Sequence, residues 1–307
     1  MEPKVSICIP TFNQVDKLQI LLDSIRIQTF REFEVIVSDD SSIDDVKQLV
    51  DRYDDLNIRY YRNSPSKGSP ENWNHAISLA TGEWIKLMHH DDYFVYPDSL
   101  GDFITSIERS DTNSDFVFSA TLISYEATGI SGNYAINKNL LRNLRKQPAL
   151  LFDRNLIGSP SVCMYKRKLN IEFDKSLIWL VDVEFYNRIL LKRSITYIDR
   201  TLVSTIVSSE QLSEKLRNNP DYEIYELLYC FNKLNNQFDR LNKKIMKQKI
   251  LYFIQFFNIK TIDQLIRHTR ELKIPIFIKF YFFIRLISPR IAYSILYRLN
   301  KYKLIES

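Results

Sequence analysis

Along the first hundred residues, short apolar runs alternate with stretches whose apolar residues recur at helical spacing. Lys4–Ile9 is a β-branched run that stops at Pro10-Thr11-Phe12-Asn13, and it predicts a buried strand. Over 15–29, Val15, Leu18, Leu21, Leu22 and Ile25 fall on one helical face. Phe33–Val37 predicts a second buried strand, ending at Ser38-Asp39-Asp40-Ser41-Ser42. A helix fits 44–53, a strand Ile58–Tyr61, a polar loop 62–70 and a helix 71–80. Trp84–Met88 predicts a fourth strand, which runs into His89-His90-Asp91-Asp92. Strand–helix alternation of this kind predicts an α/β fold with a mostly parallel central sheet flanked by helices. Ligands of such sheets bind beyond the carboxyl ends of the strands, where three of these segments end in polar or acidic clusters.

After residue 100 the pattern is less regular. Asp115–Ser124 and Ser161–Tyr165 predict strands, 179–192 a helix and Ile195–Val207 an extended segment. Residues 127–150 read only as a loop followed by a basic stretch. From about 220 onward the periodicity is helical. The expected organisation is a catalytic unit over 1–210, divided into halves 1–100 and 101–210, and a helical region over 211–307.

Composition changes this picture in two places. The chain is 45% hydrophobic and 26% charged, as ordinary globular domains are. Its net charge of +5 is unevenly spread: residues 211–307 hold 18 Lys and Arg against 8 Asp and Glu, whereas 1–210 hold 24 against 29. An acidic part suits metal–phosphate chemistry and a basic tail suits an anionic surface. Cys8, Cys163 and Cys230 lie far apart, without metal-ligand spacing, and predict a reducing compartment. The opening MEPKVSICIP lacks the pattern of a leader peptide, and no run of about 20 apolar residues predicts a membrane span.

Three constellations carry candidate chemistry. Asp39 and Asp40 can accept hydrogen bonds from a base or ribose, or cap the following helix with Ser41, Ser42 and Asp44. His89, Asp91 and Asp92 offer donors that suit Mg²⁺ or Mn²⁺; a polar turn is the plainer reading, and zinc lacks further ligands at suitable spacing. Asp182 stands at the start of an apolar helix with Glu184 and Arg188. It can cap that helix, pair with Arg188, or act as a general base.

Taken together these segments resemble the family 2 glycosyltransferases of GT-A fold. The resemblance runs through VSICIPTFNQVDKLQILLDSIRIQTFREFEVIVSDDSS, ATGEWIKLMHHDDYF, GSPSVCMYKR and WLVDVEFYNRIL, and covers about 4–205. It implies an inverting transferase that moves a sugar from a nucleoside diphosphate, UDP or dTDP, to a hydroxyl of a glycan or lipid-linked acceptor in bacterial surface polysaccharide or lipopolysaccharide synthesis. By the same resemblance Pro10, Thr11, Phe12 and Asn13 line the nucleotide pocket, with Phe12 against the base. Asp40 binds the base and Asp39 supports its loop. Asp91 and Asp92 hold Mn²⁺ or Mg²⁺, and Asp182 is the base, with Glu184 and Arg188 as acceptor-side or supporting residues. Two positions depart from the family pattern. His89 replaces the first Asp of the Asp-x-Asp motif and becomes a candidate ligand. Glu71 and Asn72 stand where relatives carry an Arg, which leaves Lys67 or a residue of the later loop to meet the phosphates.

The tail adds a partner. Residues 274–299 are rich in Phe, Tyr and Ile, interrupted by Lys279, Arg285, Arg290 and Arg298 and broken at Pro289. A basic, aromatic-rich helix of this kind can lie in the headgroup region of an anionic membrane, which predicts a peripheral protein on the inner face of the cell membrane. The alternative is two helices packed on the catalytic unit. Cations interleaved with large apolar residues do not make a nucleic-acid stripe. A nucleotide-sugar hydrolase and a noncatalytic sugar-nucleotide-binding relative are the rival functions.

Overall fold

The computed structural model describes residues 2–109, 114–209 and 211–288. Strand β1 (Val5–Thr11) is buried at all seven positions. Burial on both faces is the mark of a strand inside a covered sheet. It pairs in parallel with β2 (Phe33–Asp39) and β4 (Trp84–Leu87), and β2 pairs in parallel with β3 (Ile58–Arg62). The order β3-β2-β1-β4 forms the first half of the sheet. Its crossovers are helices α1 (Val15–Arg26), α2 (Asp45–Val50) and α3 (Glu71–Ser78). α3 packs on β1 and β2, and α1 on α2. Helix α1 buries Leu18, Leu21, Leu22 and Ile25, the face its spacing predicts. It stops three residues short of the predicted end. There the buried Gln28 side chain turns inward, donating to the carbonyls of Ser24 and Tyr96 and accepting from Leu100 N–H.

The second half begins with β5 (Tyr93–Phe94), α4 (Ser99–Glu108) and the long β6 (Phe116–Tyr125). The stretch read only as a loop and a basic segment holds β7 (Ser131–Tyr134) and α5 (Lys138–Lys146), the latter capped by Asn137. Strand β8 (Cys163–Lys166), α6 (Val181–Leu190) and β9 (Ile195–Val207) complete it. The sheet continues from β4 as β8-β6-β9-β5, with β7 on β6. β8 runs antiparallel to both β4 and β6, β9 is parallel to β6, and β5 and β7 are antiparallel to their partners. The parallel half and the mixed half therefore meet at the β4–β8 seam.

Five helices follow among the described residues: α7 (Leu212–Lys215), α8 (Pro220–Leu234), α9 (Arg240–Phe256), α10 (Ile262–Thr269) and α11 (Ile276–Ile287). α8 packs on α9 and α10, and α9 packs on the 3₁₀ turn Pro148–Phe152. Leu227, Met246, Ile254 and Ile278 thus belong to the same apolar cluster as Ile7 and Trp84. Pro289, Arg290 and Arg298 lie outside the described residues. Among the described residues no helix is long and apolar enough to cross a membrane. Cys8, Cys163 and Cys230 are buried and unpaired.

At the edge of the sheet opposite the acidic clusters, Gly82 enters β4 against β1. Its N–H donates to Ser6 Oγ at 2.8 Å, and Ser6 Oγ donates in turn to Glu34 at 2.6 Å. A Cβ on Gly82 would lie 2.8 Å from Ser6 N and from Val5 C, both backbone atoms. Backbone cannot swing aside as a long side chain does. Gly82→Ala is therefore expected to lower unfolding free energy by roughly 1–3 kcal/mol, read from a denaturant titration. A value within a few tenths of the parent's would mean that the β1–β4 pair is looser than this contact implies.

Candidate active site

The carboxyl ends of β1 and β2 are stitched together by their own polar residues. Asp39 is fully buried; its Oδ1 accepts from Ser41 N–H at 2.8 Å and its Oδ2 from the Tyr60 hydroxyl at 2.7 Å. Asp40 accepts from Asn63 Nδ2, Lys67 N–H and Gly68 N–H at 2.8, 3.1 and 2.8 Å, so it anchors the loop after β3. Its carboxylate faces that loop, and a base could reach only the lone pairs left over. Asn13 takes a left-handed conformation (φ 51°) and donates its N–H to Ser41 Oγ. Pro10 and Thr11 are buried, and Thr11 Oγ1 has no hydrogen-bond partner among the described residues. Phe12 is 54% exposed, an apolar ring presented outward at the strand end. The Lys67 side chain is exposed on the loop that Asp40 holds. Asn72 donates to the Ser38 carbonyl and accepts from Asn63, which makes it a buried strut rather than a phosphate ligand.

Beyond β4 the chain turns through His89, His90, Asp91 and Asp92. Donor atoms of His89, Asp91 and Asp92 lie within 4.8 Å of one another. Met88 N–H donates to the Cys8 carbonyl at 2.9 Å and so ties the start of this turn to β1. His89 N–H donates to Ser161 Oγ, and its ring packs 4.6 Å from that of Trp73. Burial pushes the His89 imidazole down to about 4, so at neutral pH it carries a free lone pair. Its Nε2 is buried without a partner among the described residues. An orphaned buried nitrogen beside two carboxylates is a donor set that a divalent cation would satisfy. Burial, and after it the Asp91 charge, pushes Asp92 up to about 8; a cation would reverse that direction.

Asp182 sits at the N-terminus of α6. Its Oδ1 accepts from Val183 N–H and its Oδ2 from Asn155 Nδ2, both at 2.7 Å. Burial raises its carboxyl to about 6, the hydrogen bonds opposing that rise. Asn155 also donates to the Gly158 carbonyl and accepts from the N–H groups of Ile157 and Gly158. The next residue, Ser159, donates to Asp92 Oδ2 at 3.0 Å. One short loop thus joins Asp182 to the His89–Asp91–Asp92 cluster. From the other side Gln211 donates to Asp91 Oδ2 at 3.0 Å, and Ile206 N–H to Asp92 Oδ1.

Glu184 and Arg188, expected as acceptor or supporting residues, lie on a different face of α6 from Asp182. Glu184 is fully buried, 2.8 Å from both Arg188 and Lys233, and an acceptor cannot reach it. Helical spacing explains this: two residues on from Asp182 lies a different face of α6. Their place is in the packing of α6 against α8. Arg188 pairs with Glu184 and not with Asp182. The residues that sequence reading missed are Asn155, Ser159, Ser161 and Gln211. Ser159 and Ser161 stand in the GSPSVCMYKR segment, which was the one available signal.

The model of the family described as "Glycosyl transferase family 2" matches residues 6–173, more than half of the chain. The chain is 35% identical over 127 residues to the GalNAc(5)-diNAcBac-PP-undecaprenol β-1,3-glucosyltransferase of Campylobacter jejuni, covering 40% of each protein. It is 34% identical over 91 residues to the UDP-Glc:α-D-GlcNAc-diphosphoundecaprenol β-1,3-glucosyltransferase WfaP of Escherichia coli, covering 30% of this chain and 36% of that protein. The aligned part is therefore well under half of either relative. Among solved structures, S. aureus TarS 1–349 in complex with UDP-GlcNAc shares the fold at a TM-score of 0.65 and 20% identity, over 86% of this chain and 79% of that one.

A carboxyl raised from its ordinary 3.8 to about 6 by burial favours the folded state only while protonated. Its contribution to stability is complete below about 3.8 and is lost as pH rises through about 6. Above that, the buried charge is a cost that an amide does not carry. Asp182→Asn is expected to gain roughly 1–3 kcal/mol over the parent at pH 8 and almost nothing at pH 4, measured by denaturant titration at both. A variant less stable than the parent at pH 8 would sink this account of Asp182.

Proposed function

We propose, given that this chain belongs to glycosyl transferase family 2, that it transfers a sugar from a nucleoside diphosphate to a hydroxyl of a lipid-linked glycan, with Asp182 as general base. One observation carries the reading: Asp182, with a carboxyl near 6, shares the Asn155–Ser159 loop with the His89–Asp91–Asp92 donor set. A base near 6 is ionised at neutral pH and still basic enough to take a proton in a transition state.

The reaction is a direct displacement. The acceptor oxygen attacks the anomeric carbon as its proton passes to Asp182 Oδ. The bond from that carbon to the phosphate oxygen breaks on the opposite side, which inverts the anomeric configuration. Phe12 offers its ring to the base, and Lys67 supplies a cation on the neighbouring loop. His89, Asp91 and Asp92 would hold Mn²⁺ or Mg²⁺, which when bound neutralises charge on the diphosphate leaving group. Asn155 keeps Asp182 oriented, and the α6 N-terminus favours its anion.

UDP is the proposed donor nucleotide, with dTDP next. The TarS structure holds UDP-GlcNAc, and WfaP is a UDP-Glc enzyme by its name. Both glucosyltransferase relatives act on diphosphoundecaprenol-linked sugars by their names, which supports a lipid-linked acceptor at the inner face of a bacterial membrane, in surface polysaccharide synthesis.

Thermal-shift measurement with UDP, UDP-sugars and their dTDP, GDP and ADP counterparts, with and without Mn²⁺, tests the donor side. A shift with one nucleotide, enlarged by Mn²⁺ and lost in Asp91→Ala, is the expected outcome. Asp182→Asn should keep that shift while transfer to an undecaprenyl-diphosphate-linked sugar falls about 10²–10⁴-fold. Transfer lost with donor hydrolysis retained at parental rate would favour a hydrolase. No shift with any nucleotide in a folded sample would favour a noncatalytic relative.

A further inference from the structure

Helices α9 and α11 face each other across a groove of about 860 Å³. On α9 the wall carries Arg240, Lys243, Lys244 and Lys247, which recur at i, i+3, i+4 and i+7 on one face of the helix, with Leu241 and Leu251 beside them. On α11 the wall is apolar, made by Phe277, Phe280, Tyr281 and Ile284 at the same spacing. Among the described residues no acidic side chain lines the groove. Lys247 Nζ lies 5.3 Å over the Phe277 ring, so the charged and apolar walls meet. The opposite face of α9 is anchored to the catalytic half. Asn242 accepts from Ala149 N–H at 2.9 Å, and Lys249 pairs with Asp153 just before the Asn155 loop. The basic face is therefore turned away from the active-site scaffold.

The apolar wall does not end at the groove. Phe280 is 59% exposed, and beyond it Ile276, Phe283, Leu286 and Ile287 stand in solvent, Leu286 at 84%. Lysine stems could cover part of an apolar stripe with their ammonium groups in water. That leaves unexplained Arg240, Lys243 and Lys247 collected on one wall and an apolar surface that runs past them. Phosphate beside hydrocarbon matches both walls together: charge for the basic one, methylenes for the apolar one.

We propose that the α9–α11 groove seats the phosphate headgroup and first methylenes of an anionic membrane phospholipid, and that α11 lies in the headgroup layer beside it. The inference builds on the reading of a lipid-linked acceptor, to which it adds the docking surface and the lipid it selects. Its test needs neither donor nor acceptor.

The full chain is cosedimented with vesicles of phosphatidylglycerol and phosphatidylcholine, and with pure phosphatidylcholine vesicles. Binding is expected on the anionic vesicles alone and should weaken as salt rises. The Lys243→Gln, Lys244→Gln, Lys247→Gln triple variant should lose about a hundredfold in affinity. A second variant, Phe280→Ser with Leu286→Ser at exposed positions, should bind more weakly with its cations intact. Equal binding to neutral vesicles, or unchanged binding of the triple variant, overturns the proposal. Full displacement by inorganic pyrophosphate, with no effect of the two Ser substitutions, assigns the groove to a free phosphate and overturns it as well. Asp182→Asn should bind vesicles as the parent does. A chain that binds anionic vesicles through this groove yet transfers no sugar would remove the transferase reading and leave the groove standing.

Discussion

The loop from Asn155 to Ser159 must hold two carboxylates, Asp92 buried and Asp182 half-buried, that water would otherwise stabilise. Asn155 gives Asp182 a hydrogen bond at 2.7 Å and Ser159 gives Asp92 one at 3.0 Å. Neither bond cancels the cost of burial, since both carboxyls stay above their ordinary range. What the bonds fix is direction. A carboxylate that is only partly compensated keeps its affinity for a proton or a cation, and a short loop with internal hydrogen bonds prevents it from swinging out to water. The loop is itself held from beneath. Lys86, buried in β4, donates to the carbonyls of Ser161 and Cys163, and burial pushes its ammonium down to about 7. Its ammonium is met by those carbonyls and by the Phe103 ring 4.2 Å away, and the Asp92 charge favours its protonated form against the burial.

The C-terminal helices belong to the same support. Glu226 of α8 accepts from the N–H groups of Ile178, Trp179 and Leu180, three donors at the entry to α6. Helix N-termini carry such orphan donors, and a carboxylate there satisfies them while favouring the helix dipole. Asp182 stands directly after this cap. Lys233 of the same helix reaches Asp174 and Glu184, which fixes the other end of the α6 entry segment. The angle at which Asp182 meets its loop is thus set by residues more than forty positions later in the chain.

That distance explains what could be read from the sequence. Strands β1, β2 and β4 were legible because burial on both faces leaves short, mostly apolar runs, each interrupted by one polar residue (Ser6, Glu34 and Lys86), and β9 because its extended stretch is long. The acidic clusters were legible because polar residues directly after such runs have few other reasons to be there. β7 was not: it reads SGNY and is exposed over three of its four residues, so nothing in its pattern marks a strand. The partners of the clusters were also hidden. Asp40 reads as a ligand for a base, yet its oxygens take N–H groups from a loop 27 and 28 residues away, a pairing that no local spacing encodes. Glu184 looked like a neighbour of the base. A helix turns about 200° in two residues, and the pattern alone did not say which side α8 would cover.

Burial of ionisable groups at this edge also sets the relation between stability and function. His89 is held neutral, Asp92 and Asp182 are pushed toward protonation, and Thr11 Oγ1 and His89 Nε2 lack partners among the described residues. Each of these costs the isolated fold something, and a hydrophobic replacement would relieve it. The compensation lies on the far edge of the sheet. There Glu34 satisfies Ser6, Thr81 and Arg59 at once, and its carboxyl is pulled down to about 2. One end of the parallel strands is closed by a saturated network, and the other is left with donors and acceptors that only a ligand can complete. This asymmetry makes the carboxyl edge of the sheet the place where nucleotide and cation would add most to the stability of the fold.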